Sequence, residues 1–282
     1  MKLSLSVRVA ESFSNKREID IALPELAQIA QRAGYQALCM RASMVGVHSS
    51  PEQIAQARAW LAEMGLAVSM ITGDFAVPEN SPAGPDCLRH ITPYLDLAEG
   101  LGSDLIRVCM KTEADIGFAR RAADEANERN IRLAHQSHTQ SLFETVAGSL
   151  DVLQRIDRAN FGLIYEPANL ALCGQDYGPE TLRRFQPFLF NVYLQNHVPD
   201  PHGDLPMQTW VQGRIMSTLR PLETPGGIDF QRVFAGLEAI GYQGYVTLHQ
   251  AFGGDASPQE AAARSAVFLR SFGIAGQMSG DS

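Results

Sequence analysis

Hydrophobic and polar positions along this chain follow two alternating periods. Short apolar runs rich in Val, Ile and Leu are each followed by a stretch whose apolar residues recur every three or four positions. The runs are LSLSVRVA, ALCMR, AVSMITG, DLIRVCMK, IRLAHQSH, FGLIYEPA, FNVYLQNH and YVTLHQAF. Their composition predicts strands buried on both faces. The intervening stretches carry helix punctuation. LPELAQIAQRAG has Pro24 near its start and Gly34 at its stop. SPEQIAQARAWLAEMG has Ser50 as cap, Pro51 in the first turn and Gly65 at the end. Thr112 is the expected cap of TEADIGFARRAADEANERN.

Eight such β–α units in 282 residues predict an α/β fold, a single (β/α)8 TIM barrel over residues 1–273. A doubly wound open sheet is the alternative, but no Gly-rich dinucleotide turn follows the first run. One connection breaks the rhythm. Residues 198–227, rich in Pro and Gly, are expected to form a long irregular loop, either a lid or a subunit contact. The tail 274–282 is expected to be disordered.

Composition narrows the function. An apolar share of 45% with 19% charged residues is that of a soluble globular chain with a full core. The net charge of −8, without a Lys/Arg cluster, argues against a nucleic-acid partner but leaves room for a local basic pocket. No apolar run approaches membrane-spanning length, and the start lacks a signal-peptide core. The expectation is a soluble cytoplasmic protein. Cys39, Cys87, Cys109 and Cys173 are widely spaced without a CxxC pair, which points to buried free thiols.

Gln136, Glu166, Gln195 and His249 each close an apolar run. In a parallel barrel alternate residues point inward, and the strand ends form the functional mouth. Gln136 shares a strand face with His138, Glu166 with Ile164, Gln195 with Tyr193 and His197, and His249 with Thr247. One choice of inward face therefore gathers a carboxylate, several imidazoles and two amides. Such a group can hold a divalent cation through Glu166 and His249, with amide oxygens completing the shell, or it can hydrogen-bond a polyol. Arg41, Asp74 and Lys111 end earlier strands and are weaker candidates for a hydroxyl, carboxylate or phosphate. His48, His90 and His202 are weaker still. In the long loop, Trp210 and Arg214 are candidates for covering a sugar face or binding an anionic group.

The order of these motifs resembles the sugar phosphate isomerase/epimerase superfamily, the xylose isomerase-like TIM barrels, over nearly the whole chain. LAHQSH, LIYEPANL, VYLQNH and PGGIDFQRVFAGLEAIGYQGYVTLH carry the likeness. The resemblance implies a divalent metal (Mn, Mg, Co or Zn) held by Glu, Asp, His and Glu at four strand ends. Here the first Glu is Gln136, the Asp is Glu166 and the last Glu is His249. The His position falls to Tyr193, Gln195 or His197. Gln136 cannot take a proton, so a symmetric two-carboxylate epimerase mechanism is closed to this chain. A shell with less negative charge also lowers metal affinity, and a metal-free polar pocket is the competing reading.

The leading expectation is a metal-assisted isomerase or epimerase acting on a sugar or keto-sugar. Its metal ligands would be Gln136, Glu166, Gln195 and His249. His249, Glu166 and His138 would be catalytic; His197, Arg41, Lys111, Trp210 and Arg214 would bind substrate. A lyase or dehydratase acting on an oxidised sugar through an enediolate is the alternative, and a non-catalytic sugar-binding barrel is the second. The expected partner is a small sugar or polyol, with homo-oligomerisation implied by the resemblance alone. An abasic-site endonuclease ranks low for want of metal-ligating residues and a basic face.

Overall fold

The computed structural model describes residues 1–251 and 256–274. Eight parallel strands close into a barrel: β1 Lys2–Ser6, β2 Ala37–Arg41, β3 Ala67–Thr72, β4 Leu105–Val108, β5 Arg132–Gln136, β6 Phe161–Tyr165, β7 Leu189–Leu194 and β11 Tyr245–Leu248. They neighbour one another in chain order, and β11 closes the ring against β1. Parallel neighbours need a crossover, and helices supply it. In chain order the helices among the described residues are α1 Leu23–Arg32, α2 Pro51–Glu63, α3 Asp86–Arg89, α4 Thr92–Leu101, α5 Asp115–Glu128, α6 Val146–Ile156, α7 Pro167–Leu172, α8 Pro179–Phe185, α9 Phe230–Ala239 and α10 Pro258–Arg270.

The punctuation in the sequence works locally. Ser50 and Gln53 form a reciprocal capping box on α2, with Pro51 in its first turn. Gly34 and Gly65 adopt positive φ just past α1 and α2, where any side chain is strained. Thr112 is not the cap of α5. The helix begins at Asp115, whose own carboxylate reaches back to accept the backbone N–H of Lys111 and Thr112, both at 2.8 Å.

Side-chain alternation divides the barrel into two apolar regions. Residues such as Leu3, Leu38, Ile71, Ile106, Leu133, Leu163, Val192 and Val246 point outward to the helices. Inside, Cys39, Met70, Leu105, Ala134, Ile164 and Tyr193 form a plug. Two residues further along each of these strands comes the next inward layer: Arg41, Thr72, Arg107, Gln136, Glu166 and Gln195. The barrel is thus apolar to mid-height and polar at its carboxyl end.

Residues 198–227 differ from the expected irregular loop. They build a small antiparallel sheet from β8 Asn196–Pro199, β9 Leu205–Thr209 and β10 Gly213–Arg220, with β10 in the centre. LPMQT and GRIMSTLR alternate with period two around a turn ending at Gly213, a pattern hidden by the flanking Pro and Gly. The tip of this hairpin is fastened to the barrel. The buried carboxylate of Glu144 accepts the backbone N–H of Trp210 at 2.7 Å and of Val211 at 3.0 Å. At the other end, Asn196 donates to the carbonyls of Pro221 and Thr224 and accepts the N–H of Ile228 at 2.9 Å. A Cβ on Gly227 would lie 1.7 Å from the Asn196 Oδ1, so the chain passes there only as glycine.

In the expected tail, Ile274 packs into the core, and 275–282 lie outside the described residues. All four cysteines are buried and free. Among the described residues no helix is long and apolar enough to cross a membrane.

Charge-assisted bonds of the Glu144 kind contribute about 1.5–3 kcal/mol each. Glu144→Ala is therefore expected to speed hydrogen exchange at the Trp210 and Val211 amides by roughly tenfold or more, leaving the barrel strands protected. Unchanged exchange at the hairpin tip would show that Glu144 does not hold it.

Candidate functional site

The polar end of the barrel opens into a cavity of about 230 Å³. Gln136, His138, Asn169, Gln195, His197 and His249 line one part of it, and Arg8, Lys16, Arg41 and Arg107 another. Met207 and Leu219 of the small sheet, with Phe13, Pro78 and Ala251, complete the wall. The excursion after β7 thus covers the mouth.

Glu166 sits at the junction of β6 and the short helix α7 (Pro167–Leu172) and is fully buried. Three amides surround its carboxylate. Gln136 Nε2 donates to Oε2, Gln195 Nε2 donates to Oε1, and Asn169 Nδ2 donates to Oε2 at 2.8 Å. Asn169 lies three residues into the chain beyond Glu166, so the turn of α7 brings its side chain back over the strand end. Its Nδ2 also donates to the Ser137 carbonyl at 2.9 Å, which fixes the amide's orientation. Burial raises the Glu166 carboxyl to about 7, against the opposing pull of the three amides and Arg107. A carboxyl there exchanges its proton near neutral pH.

His249 projects from the residue after β11. Its Nδ1 is 2.9 Å from Ser6 Oγ, and its ring stacks on Tyr193 with centroids 3.9 Å apart. Burial first, then Arg41, Arg107, Arg8 and Lys16, hold His249 well below the usual imidazole range. It is therefore neutral at pH 7, with Nε2 available to a ligand. His138 is likewise depressed by burial and by Arg107, and its Nδ1 pairs with the Thr139 carbonyl at 2.8 Å. Burial takes His197 down to about 4, and its Nε2 is 2.7 Å from Ser217 Oγ on β10. His197 thereby ties the mouth to the small sheet.

Arg41 is almost fully buried and committed to Glu11. Its Nε and Nη2 donate to the two carboxylate oxygens at 2.6 and 3.0 Å. Ser43 Oγ adds a third bond to Glu11 at 2.7 Å.

The cavity brings together Gln136, Gln195, His249, His138, His197 and Arg41, and Glu166 lies directly behind its wall, bonded to Gln136, Gln195 and Asn169. The fold does not bring in Lys111, Trp210 or Arg214, none of which lines the cavity. Lys111 Nζ donates to Asn80 Oδ1 at 2.7 Å and to the Gln140 carbonyl at 3.0 Å, bracing two loops. Trp210 is 53% exposed on the outer hairpin tip, and Arg214 is exposed on β10. Asp74 accepts Tyr94 OH and the Val77 N–H, a loop-fastening role. His48 stacks on Phe75, and His90 closes a helical turn. Tyr193 is placed below the mouth, its hydroxyl 3.1 Å from Cys39 Sγ, while Gln195 is the seventh-strand residue that reaches Glu166.

Sequence reading passed over Arg8, Glu11, Lys16, Arg107 and Asn169. Arg107 had a signal: a charge inside an otherwise apolar run, two residues after Leu105. The others lie on loops or short turns whose approach to the mouth only the folded chain defines.

The family model for the xylose isomerase-like TIM barrel matches residues 27–272. The chain belongs to that family. Solved structures with the same fold include the probable 3-DHS dehydratase AsbF from Bacillus anthracis, at TM-score 0.71 and 15% identity over 95% of this chain and 99% of that one. A xylose isomerase-like TIM barrel protein from Mycobacterium smegmatis, in complex with magnesium, matches at TM-score 0.69 and 17% identity over 96% of both chains. A D-allulose 3-epimerase from Methylomonas sp. matches at TM-score 0.66 and 16% identity, over 96% of this chain and 98% of that one. No curated protein matches by sequence. At these identities the solved structures establish the fold, and the family to which the chain belongs spans several chemistries.

Two outcomes are expected from this site. Glu11→Ala strands the buried Arg41 charge and should cost about 3–5 kcal/mol in denaturant unfolding. The raised Glu166 carboxyl means that the folded state holds a proton which the unfolded chain has already released. Its contribution to stability is present below about 4.5 and is lost as pH rises through about 7. Glu166→Gln should flatten the stability–pH curve across that window; an unchanged slope would assign it to another group.

Proposed function

We propose that this protein is an enzyme that moves a proton at the carbon beside a carbonyl in a small sugar-like substrate. Glu166, behind the amides of the cavity wall, is the base, and His249, which lines the same cavity, is the neutral acid. The observation that carries this reading is a buried carboxyl raised to about 7 and bonded to three amides that themselves line the cavity. A general base works best with a pKa near the working pH. Gln136, Gln195 and Asn169 hold the carboxylate in one orientation. His249, neutral and fixed through Ser6, can donate to a developing alkoxide or leaving hydroxyl from Nε2 once its tautomer places the proton there. His138 sits beside them as a further neutral donor or acceptor.

Isomerisation between adjacent carbons needs one base that removes and returns the proton. Elimination of water needs one base and one acid. Both suit a site with a single carboxylate, whereas epimerisation by two facing carboxylates does not. Among the described residues no second carboxylate joins Glu166, which favours the lyase reading, and a probable dehydratase shares the fold. A purely binding role leaves the elevation of Glu166 without a purpose.

A divalent ion in the role implied by the family would draw on Gln136, Glu166, Gln195 and His249. Among the described residues no three His, Cys, Asp or Glu side chains gather for a metal. The Glu166 carboxylate already receives N–H from three amides, and four cationic side chains depress His249. A positive surrounding of this kind opposes a second cation. The residues as arranged do not fit a divalent ion, and the proton transfers above use the protein's own groups.

The test is exchange of substrate C–H protons with D2O across a panel of ketoses, aldoses and their acids. Wild-type exchange should rise with pH around 7, and Glu166→Gln should lower it by about 10²-fold or more. Dialysis against a chelator should leave the rate unchanged. Exchange that survives Glu166→Gln would remove the carboxylate from the chemistry.

A further inference from the structure

The cavity holds more positive charge than proton transfer at Glu166 requires. Four cations line it: Arg8, Lys16, Arg41 and Arg107. Two of them are spoken for. Arg41 is bonded through two nitrogens to Glu11. Arg8 lies 3.5 Å from the same carboxylate and donates to the carbonyls of Ser12 and Phe13 at 3.1 and 3.2 Å.

Arg107 is different. It is 4% exposed, its Nε has no partner, and it forms no ion pair among the described residues. Its guanidinium carbon stands 6.0 Å from the Tyr193 ring centroid, at the limit of a useful cation–π contact. Lys16 makes one hydrogen bond, from Nζ to the Pro78 carbonyl at 2.9 Å. Burial lowers Lys16 to about 8, and Arg41, Arg8 and Arg107 push it the same way. A guanidinium sequestered without a counter-ion is costly. The cost is recovered when a ligand brings the missing negative charge, and a guanidinium's planar fork suits carboxylate and phosphate oxygens.

We infer that Arg107 and Lys16 form an anion subsite, so that the compound processed at Glu166 is an acidic polyhydroxy molecule bearing a carboxylate or phosphate rather than a neutral sugar. The cavity of about 230 Å³ is below the range for drug-sized ligands. One small molecule therefore touches both the cationic wall and the Gln136, Asn169 and Gln195 amides that enclose Glu166. The substrate assignment rests on the proton-transfer reading above, while anion binding can be measured without turnover.

The probes are D-gluconate, its neutral counterpart sorbitol, and inorganic phosphate, titrated calorimetrically into wild type, Arg107→Gln, Arg107→Lys and Glu166→Gln. Gluconate should bind wild type roughly tenfold or more tighter than sorbitol, as expected for hydrogen bonds to a charged group. The preference should vanish in Arg107→Gln, persist in part in Arg107→Lys and survive in Glu166→Gln. Phosphate should compete with gluconate; phosphate binding tighter than gluconate would make a phosphorylated sugar the substrate class. Equal affinity for gluconate and sorbitol, no binding of either anion, or a preference that survives in folded Arg107→Gln overturns the subsite. Intact anion preference combined with proton exchange that survives Glu166→Gln would overturn the catalytic role of Glu166 and leave the subsite standing.

Discussion

The two-residue alternation of a parallel barrel is the constraint on which this protein depends. Each strand must present an apolar side chain inward at mid-height, or the barrel has no plug. The next inward position, two residues on, then falls at the mouth whatever residue occupies it. Ala134 and Gln136, Ile164 and Glu166, Tyr193 and Gln195, Leu105 and Arg107, and Cys39 and Arg41 are five cases of that coupling. Closure of the ring puts Gln136, Gln195, Arg107 and Arg41 into the wall of one cavity and Glu166 directly behind it, although the five strands are scattered over more than 150 residues.

Within that cavity the electrostatics divide into two halves. On one side a single carboxylate is enclosed by neutral amides, and the loss of water raises its proton affinity toward neutrality. On the other side four cations crowd together, and one carboxylate, Glu11, answers two of them. His249 lines the same cavity and is kept neutral by burial and by the second half. The division supports a site in which one end of a small molecule is gripped by charge and the other is exposed to a base. It also separates this chain from the metal-holding arrangement implied by its family, in which carboxylates concentrate negative charge where this chain has amides.

The barrel and much of the candidate site's geometry were legible in the sequence because both depend on period. The eight apolar runs announced the strands, and parity placed Gln136, Glu166, Gln195 and His249 on inward faces. The small sheet over the mouth was harder to read: Pro206, Pro221 and the Gly-rich stretch near Gly227 obscured its alternation, and its pairing order is a matter of long-range contact. Lys111, Trp210 and Arg214 were drawn toward the site by residue type, but each is held or displayed elsewhere by neighbours distant in sequence.

The sequence alone determined the repeating strand–helix rhythm, the Ser50, Gly34 and Gly65 ends of the first two helices and the inward parity of Gln136, Glu166, Gln195 and His249, since each is written in local spacing. Tertiary structure decided which charges are already paired and which are left over. Arg41 and Arg107 occupy equivalent places in their strands, and nothing local distinguishes them. Glu11, folded back from the turn after β1, neutralises the first and leaves the second without a partner among the described residues. Pairing depends on three-dimensional proximity and burial, and those exist only once the ring has closed.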